Sequence, residues 1–302
     1  MAIEHQKSGW VSNWISGLHF ADLIAFLALS PLAHSAPPVP AQLASDLRDA
    51  TVTSANGQTQ FTTGTSRPFS LLIEVMRIQY GVVICYEDPP YLNSDDVITS
   101  SPKGLPPYRV PAGGKLSLTY SADNVAAVLE QLARVRLAPD RGAHFHVVQS
   151  GSVFMFLPLD VRDANGNRVT SRSPLDAHIT LPAGSRPASE TLGEVLKLTA
   201  DASHQRIVNM TPPGPDFPGD PTYEMSATDE TARSVLLRAL SLMEAQKGPM
   251  AWDFFFDPDS GQYYMNFSAV NKRRSSTIIP ASTNSKAIPT GGNAARSGIT
   301  PH

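Results

Sequence analysis

The sequence predicts an α+β protein: two tandem βαββαββ repeats, each a small mixed sheet with two helices packed on one face. Three observations carry this expectation. Two hairpin stretches resemble each other, Ser150-Gly151-Ser152-Val153-Phe154-Met155-Phe156-Leu157 and Ser260-Gly261-Gln262-Tyr263-Tyr264-Met265-Asn266-Phe267. The tripeptide Ser66-Arg67-Pro68 returns as Ser185-Arg186-Pro187, each time ahead of a helical apolar pattern. The matching positions recur 107 to 119 residues apart, the signature of an internal duplication.

Each element has its own local reason. Thr59 to Thr63 reads as a short strand around Phe61. Pro68 suits a first helical turn, where its missing N–H leaves no hydrogen bond unmade. Phe69, Leu72, Ile73, Met76 and Tyr80 then fall on one helical face, with Glu74 and Arg77 on others, and Gly81 supplies a left-handed stop. Val82 to Tyr86 is an apolar strand closed by Asp88-Pro89-Pro90. After a polar, proline-rich loop, Leu116, Leu118 and Tyr120 alternate with polar residues in the next strand. Asp123 is the expected N-cap of a helix whose stripe is Val125, Val128, Leu129, Leu132 and Val135. Strands His144 to Gln149 and Val153 to Leu157 complete the unit.

The order then restarts. Ala177 to Leu181 is a strand, followed by a helix with Leu192, Val195, Leu196 and Thr199 on one side. Arg206 to Met210 is a strand, and Thr222 to Ser226 a shorter, weaker one. Thr228 or Asp229 is the expected cap of a helix carrying Val235, Leu236, Ala239, Leu240 and Met243. Trp252 to Phe256 and Gln262 to Ser268 form the last hairpin. Its aromatic residues point to both faces, so the face away from the helices must also be covered, by the other repeat or by a partner.

The ends read differently. Residues 1–36 resemble an export signal, with the short apolar core Leu23 to Leu29 and the small-residue stretch Ala33-His34-Ser35-Ala36. Residues 37–57 read as a linker, 58–160 as the first repeat, 161–173 as a polar connector and 174–270 as the second repeat. Residues 271–302 read as a disordered basic tail, with Lys272, Arg273, Arg274, Lys286 and Arg296 and no acid. The whole chain carries a net charge of -3, so the body ahead of that tail is acidic, which argues against nucleic acid as a partner. The expected location is periplasmic or extracellular. No later stretch is apolar for the roughly 20 residues a membrane helix needs, so the processed chain is not expected to span a membrane.

The element order, and the run from Phe69 to Asp88 in which helix, glycine, apolar strand and acidic end follow one another, resemble a known family. It is the short domain found at the N-terminus of secretins and TonB-dependent receptors. The resemblance implies a small periplasmic βαββαββ fold and a protein-binding habit, with another envelope protein as the partner.

Candidate chemistry is sparse. His144 and His146 stand at i and i+2 on a strand, on one face, and are the residues to consider for a metal. Glu87-Asp88, Asp95-Asp96 and Asp257 with Asp259 are carboxylate pairs in turn-like positions, where Asp stabilises its own turn. The single cysteine, Cys85, sits in an apolar strand and reads as a small buried hydrophobe. No nucleophile elbow, phosphate loop, dinucleotide fingerprint or His-Glu-x-x-His motif is present, and no cofactor is implied. The expected function is a non-catalytic binding or scaffold module of the cell envelope. The alternatives are a small metal-dependent hydrolase using His144 and His146, or a glycan-binding protein using aromatics near Tyr263 and Tyr264.

Overall fold

Asn56 and Gly57, both at positive φ (52° and 74°), make the tight turn of the first hairpin among the described residues. The computed structural model describes residues 50–270 apart from 102, 103, 105, 122, 138–141 and 211–220. The expected export signal and basic tail lie outside the described residues. The stretch read as a linker ends instead in a strand, β1 (Thr51–Ala55), which pairs with β2 (Gln58–Thr63) across that turn. The correction has a simple cause: Thr, Val and Ser flank an Asn-Gly pair, a hairpin signal that the small polar composition hides.

Helix α1 (Pro68–Tyr80) starts at the expected proline and stops at Gly81, whose φ of 66° lets its N–H reach the Arg77 carbonyl. Strand β3 (Ile84–Glu87) follows, then a 3-10 turn at Ser94–Asp96 and the small hairpin of β4 (Val97–Ser100) and β5 (Tyr108–Pro111). Strand β6 (Leu116–Ser121) precedes α2 (Val125–Arg134). The cap of α2 is Asn124, whose side chain accepts from the Ala127 N–H at 3.0 Å; Asp123, one residue too early, bonds the Ser121 hydroxyl instead. Strands β7 (His144–Ser150) and β8 (Val153–Arg162) form a hairpin, and β8 runs on to pair with β9 (Arg168–Thr170). The polar connector is thus itself a β-hairpin, turned at Asn165-Gly166.

Strand β10 (His178–Pro187) leads into α3 (Ala188–Ser203), which ends in a left-handed His204. Then come β11 (Ile207–Asn209), β12 (Thr222–Thr231), α4 (Ala232–Lys247), β13 (Met250–Asp257) and β14 (Gln262–Ala269). The strand at 222 is longer than its composition suggests, because its whole length pairs with β10. It runs through Thr228 and Asp229, so the cap of α4 falls to Thr231, which accepts from Ser234.

The protein is therefore mixed α+β, with four helices among the described residues. Its sheets are assembled as follows. Strands β1, β2 and β6 make a small antiparallel sheet, and β10 pairs antiparallel with β12. The central sheet has the order β11-β14-β13-β3-β8-β7, with β9 attached to β8. In it β3 is parallel to β8 and β8 antiparallel to β7; likewise β11 is parallel to β14 and β14 antiparallel to β13.

At β3 and β8 the central sheet is covered on both faces, so these strands are apolar on both. Ile84, Tyr86, Phe145 and Phe156 join a core with α1, α2, β2 and β6. Cys85, Met155, Leu157, Trp252, Phe254 and Met265 join another with α3, α4, β10 and β12. Neighbours along β3 and β8 alternate between the two cores, which places α1 and α2 on one face and α3 and α4 on the other. The covering of the last hairpin's second face comes from within the chain: Phe255 packs on Tyr86 with ring centroids 5.9 Å apart.

The thiol of Cys85 is fully buried in this sandwich, and burial pushes it up to about 12. A thiolate is the reactive form. Cys85 is therefore expected to resist a disulfide reagent at mildly alkaline pH in the native protein and to react fully in concentrated guanidinium. Comparable labelling in both conditions would contradict this burial.

Candidate functional site

The most chemically loaded place in the fold is the line where β3 meets β13. The strands run parallel but share only two paired positions, Tyr86 with Asp253 and Glu87 with Phe254. Three arginines supply what the short ladder lacks. Each comes from a helix or its cap and reaches a buried acid.

Arg77, in the last turn of α1, donates from Nε to the Ile84 carbonyl (2.7 Å) and from Nη2 to the Trp252 carbonyl (3.1 Å). It also forks onto the Asp253 carboxylate at 2.8 and 2.9 Å, a bidentate geometry only guanidinium provides. Burial opposes its charge, but Asp253 outweighs burial and holds the guanidinium above its ordinary value. One side chain thus ties both strands together.

Arg67 precedes α1. Its Nε meets Asp88 at 2.6 Å, its Nη2 donates to the Phe256 carbonyl at 2.7 Å, and its guanidinium lies 5.1 Å from the Phe255 ring centroid. Asp88 is 1% exposed and is fully engaged, accepting also from the Tyr86 hydroxyl at 2.7 Å and the Phe256 N–H at 3.2 Å. Burial first, and the Asp88 charge second, push the Tyr86 phenol well above its ordinary range.

Arg233, near the start of α4, forks onto Glu87 at 2.8 and 2.9 Å and bonds Asp176 as well. Ser173 donates to Glu87 at 2.6 Å. Glu87 is 0% exposed. Here the cation comes from the C-terminal half and the acid from the N-terminal half, the reverse of Arg77 with Asp253.

The expected turn role of Glu87 and Asp88 is thereby corrected. Both are buried ion-pair partners at the end of a covered strand, where an unpaired carboxylate would be far too costly. Asp96 behaves likewise: it is buried, pairs with Arg162 and accepts from the Gly142 N–H at 2.8 Å. Its neighbour Asp95 is exposed, on a turn capped by Asn93. Asp257 does stabilise its own loop, accepting from the Asp259 and Ser260 N–H groups.

His144 and His146 share a face but not a site. The Nδ1 of His144 bonds Asp160 at 3.0 Å, and Asp160 also meets Arg168. The Nδ1 of His146 is buried without a hydrogen-bond partner among the described residues. Among the described residues no three His, Cys, Asp or Glu side chains gather as metal ligands. The aromatics proposed for a glycan are divided too. Tyr263 is buried and stacks on Phe254 at 4.5 Å, while the half-buried Tyr264 receives a hydrogen bond from Gln262.

A small cleft opens beside Arg67, lined by Phe69, Tyr91, Pro111, Gly113 and Phe145, with about 40 Å³ of free volume. Ligand pockets run to several hundred Å³, so this one holds water-sized occupants. Gly113 closes its wall at φ 62°, where an added Cβ would lie 2.3 Å from the Thr65 carbonyl oxygen. Gly113→Ala is accordingly expected to destabilise the fold by about 2 kcal/mol or more, through left-handed strain and overpacking together. A urea midpoint equal to that of wild type would refute this.

Among the described residues no helix is long and apolar enough to cross a membrane. No family model, curated protein or solved structure matches the chain.

Proposed function

We propose that the chain is a non-catalytic extracytoplasmic scaffold, made of two βαββαββ copies fused through one sheet, whose outer strands bind another envelope protein. The duplication reading is supported by matching details. With β1, β4, β5 and β9 set aside as additions, β2 pairs with β6 as β10 does with β12, β3 runs parallel to β8 as β11 does to β14, and β7–β8 and β13–β14 are hairpins. The helix ends match as well: Gly81 and His204 both take the left-handed stop, and Asn124 and Thr231 both cap with their side chains. The βαββαββ element order is what the resemblance to the secretin and TonB-receptor N-terminal domain implies.

The observation that carries the binding role is the state of the sheet's ends. Strands β7 and β11 are the outermost in the central sheet, each with strand pairing on one side only among the described residues. An outer strand offers a row of backbone donors and acceptors to an added strand. The buried acids, meanwhile, are consumed in joining the two halves.

A photo-crosslinker at the exposed Gln149 of β7, used in the native envelope, tests the proposal. The expected result is a reproducible adduct with one other envelope protein, lost when the crosslinker is moved to the buried seam. The absence of any adduct with another protein would remove the envelope-partner reading.

A further inference from the structure

We propose that β7 of one molecule pairs in parallel with β11 of a second copy, so that copies add head to tail.

The argument starts from equivalent positions. Relative to its parallel partner, Ile84 of β3 stands opposite Phe154 and Ile207 of β11 opposite Tyr263. Strand β11 therefore stands where β3 does, with Asn209 at the place of Tyr86. Relative to the same last strands, Gln149 of β7 faces Phe154 and Phe256 of β13 faces Tyr263. Strand β7 therefore stands where β13 does, with His146 at the place of Asp253. The inner joint aligns Asp253 with Tyr86. Its repeat between molecules aligns His146 with Asn209.

The directions agree with this addition. Strands β13, β3 and β8 run one way; β11, β14 and β7 run the other. Each half is thus related to the next by a half turn about an axis across the strands, with a shift of three strands and the helices on alternate faces. A second copy presenting β11 to β7 meets a strand running in the same direction, as β13 meets β3. Six strands at about 4.8 Å repeat the helix pairs of one face every ~29 Å, more than the ~20 Å that two packed helices occupy. The joint is heterologous, so it leaves one end open after every addition.

The two ends are guarded less heavily than another outer strand: β7 carries a single register shift, between His144 and Phe145, and β11 is three residues long. Strand β10, an edge of its own two-stranded sheet, carries Pro182, two register shifts and Arg186 folded back onto the Pro182 carbonyl, the usual protections of an edge. Strands β7 and β11 contain no proline and no lysine. Strand β9 joins β8 on the side away from β7, since Asp160 pairs with both His144 and Thr170. The outer joint lacks the inner clamp. Measured from the helix stops Gly81 and His204, the place of Arg77 is taken by Ala200, so this association is weaker and concentration-dependent.

The proposal rests on the duplication reading and competes with the envelope partner for the same two strands, so in the cellular crosslinking an adduct of the chain with itself supports the second copy and an adduct with another protein supports the envelope partner. The test is a disulfide trap on the full-length chain. His146→Cys and Asn209→Cys are purified, checked by thermal melting, and oxidised mildly alone and mixed. The expected result is a mixed disulfide dimer only in the mixture, and a ladder of higher species from the double variant. Wild type, with Cys85 buried, stays uncrosslinked. A disulfide dimer from His146→Cys alone would mean that like edges meet, and would overturn the head-to-tail joint. No crosslink between folded variants would overturn it equally. Should a variant fail to fold, sedimentation of wild type decides: average mass must climb past the dimer with concentration, and a mass fixed at monomer or dimer refutes the proposal.

Discussion

Arg77→Met is expected to destabilise the protein by about 3–5 kcal/mol, the range for removing one partner of a buried ion pair. The side chain is 4% exposed, and its loss strands Asp253 in a strand covered on both faces. It also leaves the Ile84 and Trp252 carbonyls without their donor. Arg77→Lys is expected to recover little, because an ammonium cannot fork onto the carboxylate and reach two carbonyls together. Urea unfolding of Arg77→Met, Asp253→Asn and the double variant would measure the coupling. The two single losses should sum to more than the double loss, since each leaves the other partner unpaired. Strict additivity would show that the two side chains act independently, and would sink this account of the seam.

Arg233→Met should be comparable in size, about 3–5 kcal/mol by the same mechanism, but with a different signature. Its loss leaves Glu87 fully buried with Ser173 as its remaining hydrogen-bond donor. Adding Glu87→Gln to Arg233→Met is expected to restore much of the loss, because a neutral amide needs no counter-charge. Glu87→Gln alone should be clearly destabilising, since it leaves the guanidinium with the half-exposed Asp176 as its counter-charge. If the double variant proves as unstable as Arg233→Met, packing by the arginine stem matters more than charge, and the reading of Glu87 is wrong.

The contrast between what the sequence showed and what it hid follows from the range of the interactions. Alternation in Leu116 to Tyr120, the helical stripe from Phe69 to Tyr80 and the stop at Gly81 are local, set by side-chain period and backbone freedom, and they were legible. The caps of α2 and α4 were misread by one to three residues because Ser, Thr, Asp and Asn crowd both sites. The joint between β3 and β13 was not legible: it spans only two paired positions between residues far apart in sequence, and no periodicity encodes it. In the sequence pattern Arg77 falls off the apolar face of its helix, and nothing in that pattern singles out Arg233. One signal was available in the sequence. Asp253 sits between Trp252 and Phe254 in a run apolar on both faces, and Glu87-Asp88 end another such run, so three carboxylates required three cations. Nothing local said which arginines would answer.

The seam also sets a schedule. Glu87 and the arginine that neutralises it are 146 residues apart, so as the chain emerges N-terminus first the acid waits for its partner. At the usual pace of synthesis, about 5–20 residues per second, that wait lasts on the order of 7–30 s. The first half alone would have to close β3 over Glu87 and Asp88 without Arg233 or β13. Its native strand order is therefore completed late, after the last hairpin arrives, and a contact of this sequence separation belongs to a slow-folding topology. Until then the edge of β3 that β13 will cover stays open to any other strand within reach, which makes this interval the chain's greatest exposure to misassembly.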